Sequence, residues 1–420
     1  MARRKGIPSI RQRKDRNGKK LDCWEALVNM GKDPSTGKIK RVPVYGKTQD
    51  ECRKKLIKMM SEIQNHTYVE PSKLTLGEWL DVWLKDFKSK KLRPTTYACY
   101  ETLIRVHIKE CLGFAKLVDL KPEQVQAFYN KKLSDGLSER TVNYLHVILN
   151  GALSQALKLG KVSRNVAKLT EPPRQKAKEM RVLTVEEQAK FYEAIRDERL
   201  GTLFLLSLAT GMRRGELLAL TWDNVNLKEG FIKVTKSLVR VKTDFREDAK
   251  KKTELMILEP KTEKGKRVIP LMDSLVIELK EHRKRQMEEI NKATDMNTGE
   301  SLYDKTNNLV FCTPLGKPIE PRNLNRIFYR LIDKAGIGKA NLHSLRHTFA
   351  TRAVEAGMQI VVMRDLLGHE NISTTSRYSH ALMDAKREAM GKLDNLFEGK
   401  SIKPEEKSRK KKKTDAAVNE

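Results

Sequence analysis

The sequence predicts a multidomain chain, mainly α-helical with small β elements, and three observations carry that expectation. Near the start, CWEALVNMG and IKRVPVYG flank the turn-rich DPSTGK and precede the helical ECRKKLIKMMSEI, the order of a small sheet carrying one helix. From Leu74 to Leu169 apolar residues recur at helical spacing, which points to an all-α domain. Beyond the basic, proline-containing EPPRQKAKEMRV, helical stretches enclose FIKV, SLVRV, ELMIL and KRVIP between Phe231 and Pro270, as a mixed α+β domain would. At 420 residues the chain is long enough for two or three cores rather than one enlarged core.

Each element has a local reason. Arg3 to Lys20 holds nine basic residues and one acid, so residues 1–20 are expected to form a flexible basic N-terminus that orders only against an anion. Residues 21–68 are then the sheet-plus-helix domain, its helix opened by a capping box of Thr48 and Glu51. Residues 73–169 are the all-helical domain: TLGEWLDVWLKDF, a helix around Tyr97 to Ile108, another from Glu123 to Leu133, and TVNYLHVILNGALSQALKLG. In the last, Val142, Leu145, Ile148, Leu149, Ala152, Leu153, Ala156 and Leu157 make one stripe and Gly160 ends it. Residues 170–182 read as a linker. Thr184 and Glu187 cap the first helix of the mixed domain, residues 183–397. Residues 398–420 are a basic tail, including EEKSRKKKKTDAAVNE, without means of burying surface.

Charge narrows the function. Eighty-four Lys and Arg against fifty-four Asp and Glu leave a formal +30 spread along the chain, so the expected partner is a polyanion. Nucleic acid fits best, since each neutralised phosphate releases counterions. The five cysteines, Cys23, Cys52, Cys99, Cys111 and Cys312, lack metal-ligand spacing, and neither a disulfide framework nor a zinc site is expected. MARRKG is followed by the polar IRQRKDRNGKK, unlike a secretory signal, and LFLLSLATG is far short of a membrane span. The expected setting is a reducing cytoplasm, at the nucleoid, with no membrane partner.

Four stretches of the mixed domain combine into one kind of chemistry. In ATGMRRGELLALTW, Thr210 and Gly211 break a helix before Arg213, whose guanidinium can hold a phosphate in a bidentate fork. PKTEKGKRVIP reads as a hairpin with Lys261, Lys264 and Lys266 near its tip, where a lysine can reach a groove and protonate a departing oxygen. In LHSLRHTFATRAVEAG, His343 and Arg346 lie three apart on one helical face, with Leu345, Phe349 and Ala353 on a separate apolar line. In LLGHENISTTSRYSHA, Gly368 ends a short helix, His369 follows it, and Tyr378 stands nine residues further on. The set contains no carboxylate cluster suited to magnesium, so guanidinium groups rather than metal ions would spread transition-state charge. A phenol, with a pKa of about 10, is a poor nucleophile. It becomes competent where preorganised donors hold the charge developing on phosphorus. A phosphotyrosine would retain the bond energy, and resealing would need no ATP, in keeping with a chain that has no GxxxxGK[ST] loop.

These motifs, in this order, resemble the tyrosine recombinase or phage integrase family over about Leu74 to Phe397. By that resemblance Arg213, Arg346 and His369 hold the scissile phosphate, Lys261 is the general acid to the 5′ oxygen, His343 assists proton transfer, and Tyr378 is the nucleophile. Lys264 and Lys266 compete with Lys261 for the acid role. Glu216 matches a supporting acidic position. The resemblance makes the helical domain a SAM-like core-binding domain, which with the catalytic domain forms a C-shaped clamp on DNA. It makes the N-terminal domain similar to the arm-binding domains of integrases from temperate phages and conjugative transposons of low-GC Gram-positive bacteria. DAKREAMGKLDNLF, with Ala385, Ala389, Leu393, Leu396 and Phe397 on one side of a helix, matches a segment passed to a neighbouring subunit. The implied partners are double-stranded DNA at core and arm attachment sites and three further copies of the chain in a tetramer, with an excisionase and a host DNA-bending protein as candidate helpers. No cofactor and no metal are expected. Two rivals stand beside this expectation: a type IB topoisomerase with a nearly identical site, and a non-catalytic DNA-binding protein.

Overall fold

Strand alternation organises the first sheet. The computed structural model describes residues 8–15, 19–32, 37–65, 68, 73–175, 180–243, 252–260, 263–293 and 301–368. In it β1 (Ile10–Lys14), β2 (Lys20–Lys32) and β3 (Ile39–Gly46) form an antiparallel sheet in that order. Ala26 and Val28 of β2 are buried with Cys52, Leu56 and Met59 of α1 (Gln49–Gln64). The intervening residues Glu25 and Leu27, opposite Tyr45 and Pro43, therefore face away from the helix. On that open face Arg11 donates to Glu25 at 2.8 Å and the Arg13 guanidinium lies 5.8 Å from the centre of the Tyr45 ring. The sheet thus begins inside the stretch expected to be flexible. Ile10 packs with the sheet's core, and this apolar anchor with the Arg11–Glu25 pair orders a run that charge counting alone leaves disordered. The helix cap also differs: Thr48 accepts the Glu51 N–H, but the Glu51 carboxylate takes the N–H of Lys47.

The helical domain follows the expected periodicity. Helix α2 (Leu76–Val82), opened by a capping box of Thr75 and Glu78, runs into a π turn at Trp83–Lys88. Next come α3 (Pro94–Leu103), a second π turn (Ile104–Ile108) and α4 (Lys109–Leu112), then α5 (Pro122–Ser134) and α6 (Glu139–Lys158). The α6 stripe from Val142 to Ala156 is buried as expected, but Leu157 is exposed, being one residue past the point where the stripe turns off the core. Trp79 is buried against α6 and its indole N–H donates to the Ala152 carbonyl at 2.9 Å.

The chain divides into two compact units between Ala177 and Lys178, inside the stretch read as a linker. The second unit opens with α7 (Val185–Ile195), on the expected Thr184–Glu187 capping box, then α8 (Gly201–Thr210) and α9 (Arg214–Leu218). Strands β4 (Val225–Asn226), β5 (Phe231–Val234), β6 (Ser237–Lys242), β7 (Thr253–Leu258) and β8 (Arg267–Pro270) precede α10 (Asp273–Lys292), α11 (Pro321–Lys334), α12 (Leu342–Glu355) and α13 (Ile360–Leu367). All four expected strands are present, but PKTEKGKRVIP is not a simple hairpin. β7 pairs with β6, whereas β8 pairs with β5, with the 3₁₀ turn Glu263–Gly265 between them. Burial sets that pairing, because Ile232 and Ile269 face each other in register and both enter the core. Phe191, Phe204 and Phe328 pack with ring centres 5.8 to 6.2 Å apart, which fixes α7, α8 and α11 together. Thr348 of α12 accepts the Leu183 N–H at 2.9 Å and so pins the entering chain to the helix that carries His343 and Arg346.

Replacing Trp79 by Ala removes a buried aromatic side chain and its hydrogen bond to the Ala152 carbonyl. Unfolding in urea followed by circular dichroism is expected to show a loss of about 3–5 kcal/mol.

Candidate active site

The site is built from helix ends. Helix α8 stops at Gly211, whose φ of +62° is left-handed. A Cβ there would stand 2.6 Å from Phe349 Cδ1, so only glycine fits both the dihedral and the space. Two residues later Arg213, with extended ψ of 149°, is the N-cap of α9. Its backbone N–H donates to Glu216 Oε2 at 2.9 Å and its Nη1 to Oε1 at 2.8 Å.

Glu216 is only 5% exposed, and a buried carboxylate in an otherwise apolar stretch needs compensation. The compensation comes from a second arginine. Arg267, the first residue of β8, donates from Nη2 to Oε2 at 2.8 Å and from Nη1 to Oε1 at 3.2 Å, and is itself 5% exposed. Burial works to raise the Glu216 pKa, but the hydrogen bonds and charge of Arg267, with those of Arg213, overcome it and bring it down to about 2.

Three arginines converge on the end of α13. Arg267 Nε donates to the Leu366 carbonyl at 2.6 Å, Arg346 Nη2 to Leu367 at 2.7 Å, and Arg213 Nη2 to Gly368 at 3.3 Å. Arg346 also donates from Nη1 to the Gly211 carbonyl at 2.6 Å, which ties the ends of α8 and α13 to α12. Gly368 caps α13 with a φ of +63°, and a Cβ on it would lie 3.1 Å from the Lys264 carbonyl oxygen. The turn between β7 and β8 therefore lies directly against the last described residue before His369.

Of the residues singled out from sequence, Arg213, His343 and Arg346 are brought together here. Arg346 is 2% exposed, more enclosed than a face left free by the apolar line of α12 suggests, while the Arg213 side chain is 40% exposed. His343 presents an exposed edge, and its ring meets that of His347 edge-on with centres 4.6 Å apart. Desolvation, then the charges of Arg346 and Arg213, push its pKa below the ordinary histidine value against a smaller opposing pull from Glu216. Lys264 lies in the 3₁₀ turn, and Lys266 approaches Glu259 at 3.3 Å, both exposed. Lys261, His369 and Tyr378, and the segment from Ala385 to Phe397, lie outside the described residues. Sequence reasoning missed Arg267, although it sits in the quoted PKTEKGKRVIP. The available signal was Glu216 within GELLALTW, an acid in an apolar run that, once buried, needs hydrogen-bond donors for both carboxylate oxygens.

Comparison with known proteins bears on the same residues. The phage integrase family matches residues 181–384, a span that includes Arg213, Lys261, His343, Arg346, His369 and Tyr378, and the N-terminal SAM-like domain of phage integrases matches residues 75–133. A "Tyrosine recombinase XerC-like" protein of Caldanaerobacter subterraneus subsp. tengcongensis is 33% identical over 391 residues, 91% of this chain and 98% of that protein. The chain belongs to the tyrosine recombinase (phage integrase) family. It is a site-specific DNA recombinase. The ICEBs1 integrase of Bacillus subtilis is 23% identical, covering 89% of this recombinase and 97% of that protein. The fold is shared with the Tn1549 transposon integrase, solved with a circular intermediate DNA, at a TM-score of 0.62 and 22% identity over 76% of this chain and 99% of that one. It is also shared with a lambda integrase tetramer bound to a Holliday junction, at a TM-score of 0.52 and 21% identity over 90% and 96%. Among the described residues of the recombinase, no helix is long and apolar enough to cross a membrane.

The depressed Glu216 pKa has a stability consequence whose sign follows from linkage. The contribution is full above 4.5 and is lost as pH falls toward about 2. Glu216→Gln is expected to cost about 3 kcal/mol near neutrality. Urea titrations of both proteins at descending pH should show that difference shrinking through the acid range.

Proposed function

We propose that the recombinase cuts and rejoins DNA through a 3′-phosphotyrosine on Tyr378, integrating and excising a mobile element. The observation that supports this reading best is the convergence of Arg213 and Arg346 on the carbonyls that immediately precede His369, with His343 within reach of both guanidinium charges. Arg213, half-exposed, and Arg346, buried behind it, grip the non-bridging oxygens of the scissile phosphate together with His369. Their guanidinium groups stabilise charge that grows as phosphorus becomes pentavalent. The Tyr378 oxygen attacks phosphorus and its proton leaves through His343, whose lowered pKa keeps it neutral and able to accept. The bond from phosphorus to the 5′ oxygen breaks, and Lys261 supplies the proton that makes the leaving group a hydroxyl. Attack of a 5′ hydroxyl from the other duplex on the phosphotyrosine reverses each step and joins the new strand, with a Holliday junction between the two exchanges.

The remaining parts of the chain bind and assemble. Residues 73–169 hold core-site DNA as the SAM-like domain, and residues 21–68 hold separate arm sites. The open face of the N-terminal sheet, with Arg11, Arg13, Arg41 and Tyr45, offers basic and aromatic groups on a strand surface that suits a major groove. A homotetramer on two duplexes, acting at the nucleoid with an excisionase and a host bending protein, completes the reading. The lambda integrase tetramer on a Holliday junction is the precedent for that assembly.

Two outcomes test it. Wild-type protein on a nicked suicide duplex carrying its attachment site should give a covalent adduct resistant to chelator and independent of ATP, and Tyr378→Phe should give none. An adduct in Tyr378→Phe, or none in wild type, sinks the assignment and favours the non-catalytic reading. Robust relaxation of a supercoiled plasmid lacking any attachment site supports the topoisomerase instead. Separately, Arg13→Ala with Arg41→Ala should weaken arm-site binding about tenfold and flatten the salt dependence by about two phosphate contacts, measured by fluorescence anisotropy across a salt series.

A further inference from the structure

We infer that Arg267 is a positioning residue for DNA cleavage, holding Arg213 through Glu216 while locking the Lys264 turn and the end of α13 in one register. The inference rests on the proposed site. The Arg267 side chain is 5% exposed, and its Nε, Nη1 and Nη2 all donate to Glu216 or to the Leu366 and Gly265 carbonyls, so its guanidinium is committed within the protein and acts on DNA through other groups. It reaches three segments at once: the first turn of α9 through both Glu216 oxygens, α13 through the Leu366 carbonyl, and its own turn through the Gly265 carbonyl at 3.3 Å. Those segments respectively place Arg213, lead into His369, and continue the stretch that carries Lys261.

The charge balance makes the coupling specific. Glu216 faces Arg213 on its own turn, Arg267 from β8 and, more weakly, His343 from α12. Four nitrogen-to-oxygen contacts join Arg213 and Arg267 to its two oxygens. With Arg267 gone, the whole buried carboxylate charge falls on Arg213 and draws the half-exposed guanidinium inward, away from a phosphate. The Leu366 carbonyl loses its donor in the same step. Lysine in that place restores a charge beside Glu216, but its point-like ammonium cannot span both carboxylate oxygens, Leu366 and Gly265 together. Methionine keeps the apolar stem and removes the charge.

The test is single-turnover cleavage of the nicked suicide duplex at saturating DNA, with binding measured separately and rates taken across the acid and neutral range. Arg267→Met is expected to bind DNA within about threefold of wild type yet cleave about 100-fold more slowly. The acid limb of its pH profile should move toward neutrality, because Glu216 loses its strongest partner. Arg267→Lys should recover about tenfold of that loss and return the acid limb to its wild-type position. Cleavage by Arg267→Met within threefold of wild type overturns the inference. So does slowing that only tracks lost binding under an unchanged pH profile. If Arg267→Met does not fold, Arg267→Lys decides: about tenfold slower cleavage at saturating DNA supports the role, and a wild-type rate overturns it. Absence of any adduct in wild type would instead remove the proposed site, whereas a normal wild-type adduct with indifferent Arg267 variants removes only this inference.

Discussion

Three consecutive carbonyls at the end of α13, those of Leu366, Leu367 and Gly368, each accept a hydrogen bond from a different arginine. The last carbonyls of any helix lack intrahelical partners and carry the negative end of its dipole. Charged donors from three separate parts of the chain satisfy them here: Arg213 before α9, Arg267 on β8 and Arg346 on α12. Each bond alone is a charge-assisted cap of ordinary strength. Together they make the exit of α13 the point at which the β8 strand, the α8 to α9 break and α12 must agree in position. Gly368 turns the chain left-handed there, and a side chain at that residue would press on the Lys264 backbone.

The arginines divide the work by depth. Arg346 and Arg267 are almost wholly enclosed, and Arg213 is not. A buried guanidinium gives up hydration worth several kcal/mol, which only good partners offset. Arg346 finds them in backbone carbonyls, and Arg267 in Glu216 and carbonyls both. Among the described residues, Glu216 is the carboxylate paired with this cluster of three guanidinium groups, so its charge is not enough to neutralise them. The surplus positive potential therefore emerges where Arg213 and the edge of His343 reach the surface, and a phosphodiester is the group that would complete the balance.

Most of the scaffold was legible because it follows periodicity. The α6 stripe, the Thr184 capping box and the four short strands can be read from spacing alone. Two errors share one cause, namely that strand partners are long-range. Arg11 sits in a stretch that looks disordered until its contact with Glu25, fourteen residues on, is known. The partner of β8 is β5, across the intervening β6–β7 pair, whereas local spacing alone makes PKTEKGKRVIP read as a hairpin. Arg213 was legible because it follows the helix break at Gly211, and His343 and Arg346 because a spacing of three puts them on one helical face. Arg267 was not, since an arginine opening an exposed-looking turn resembles any solvated charge. Its meaning depends on Glu216, fifty-one residues earlier.

The same arrangement decides which group can move a proton. Arginine does not titrate in the range where proteins function, so the positive charge of the cluster is permanent. His343 stands beside two such charges in a partly desolvated position, and each disfavours its protonated form. A histidine that had to donate a proton would be poorly placed among them. One that accepts the phenolic proton of the attacking residue is well placed, provided that negative charge reaches the site as the reaction proceeds. A bound phosphate brings that charge, and its approach makes the imidazolium less costly at the moment it forms. In the proposed mechanism the two arginines favour neutral His343 before DNA binds, and the bound phosphate relieves the penalty they impose.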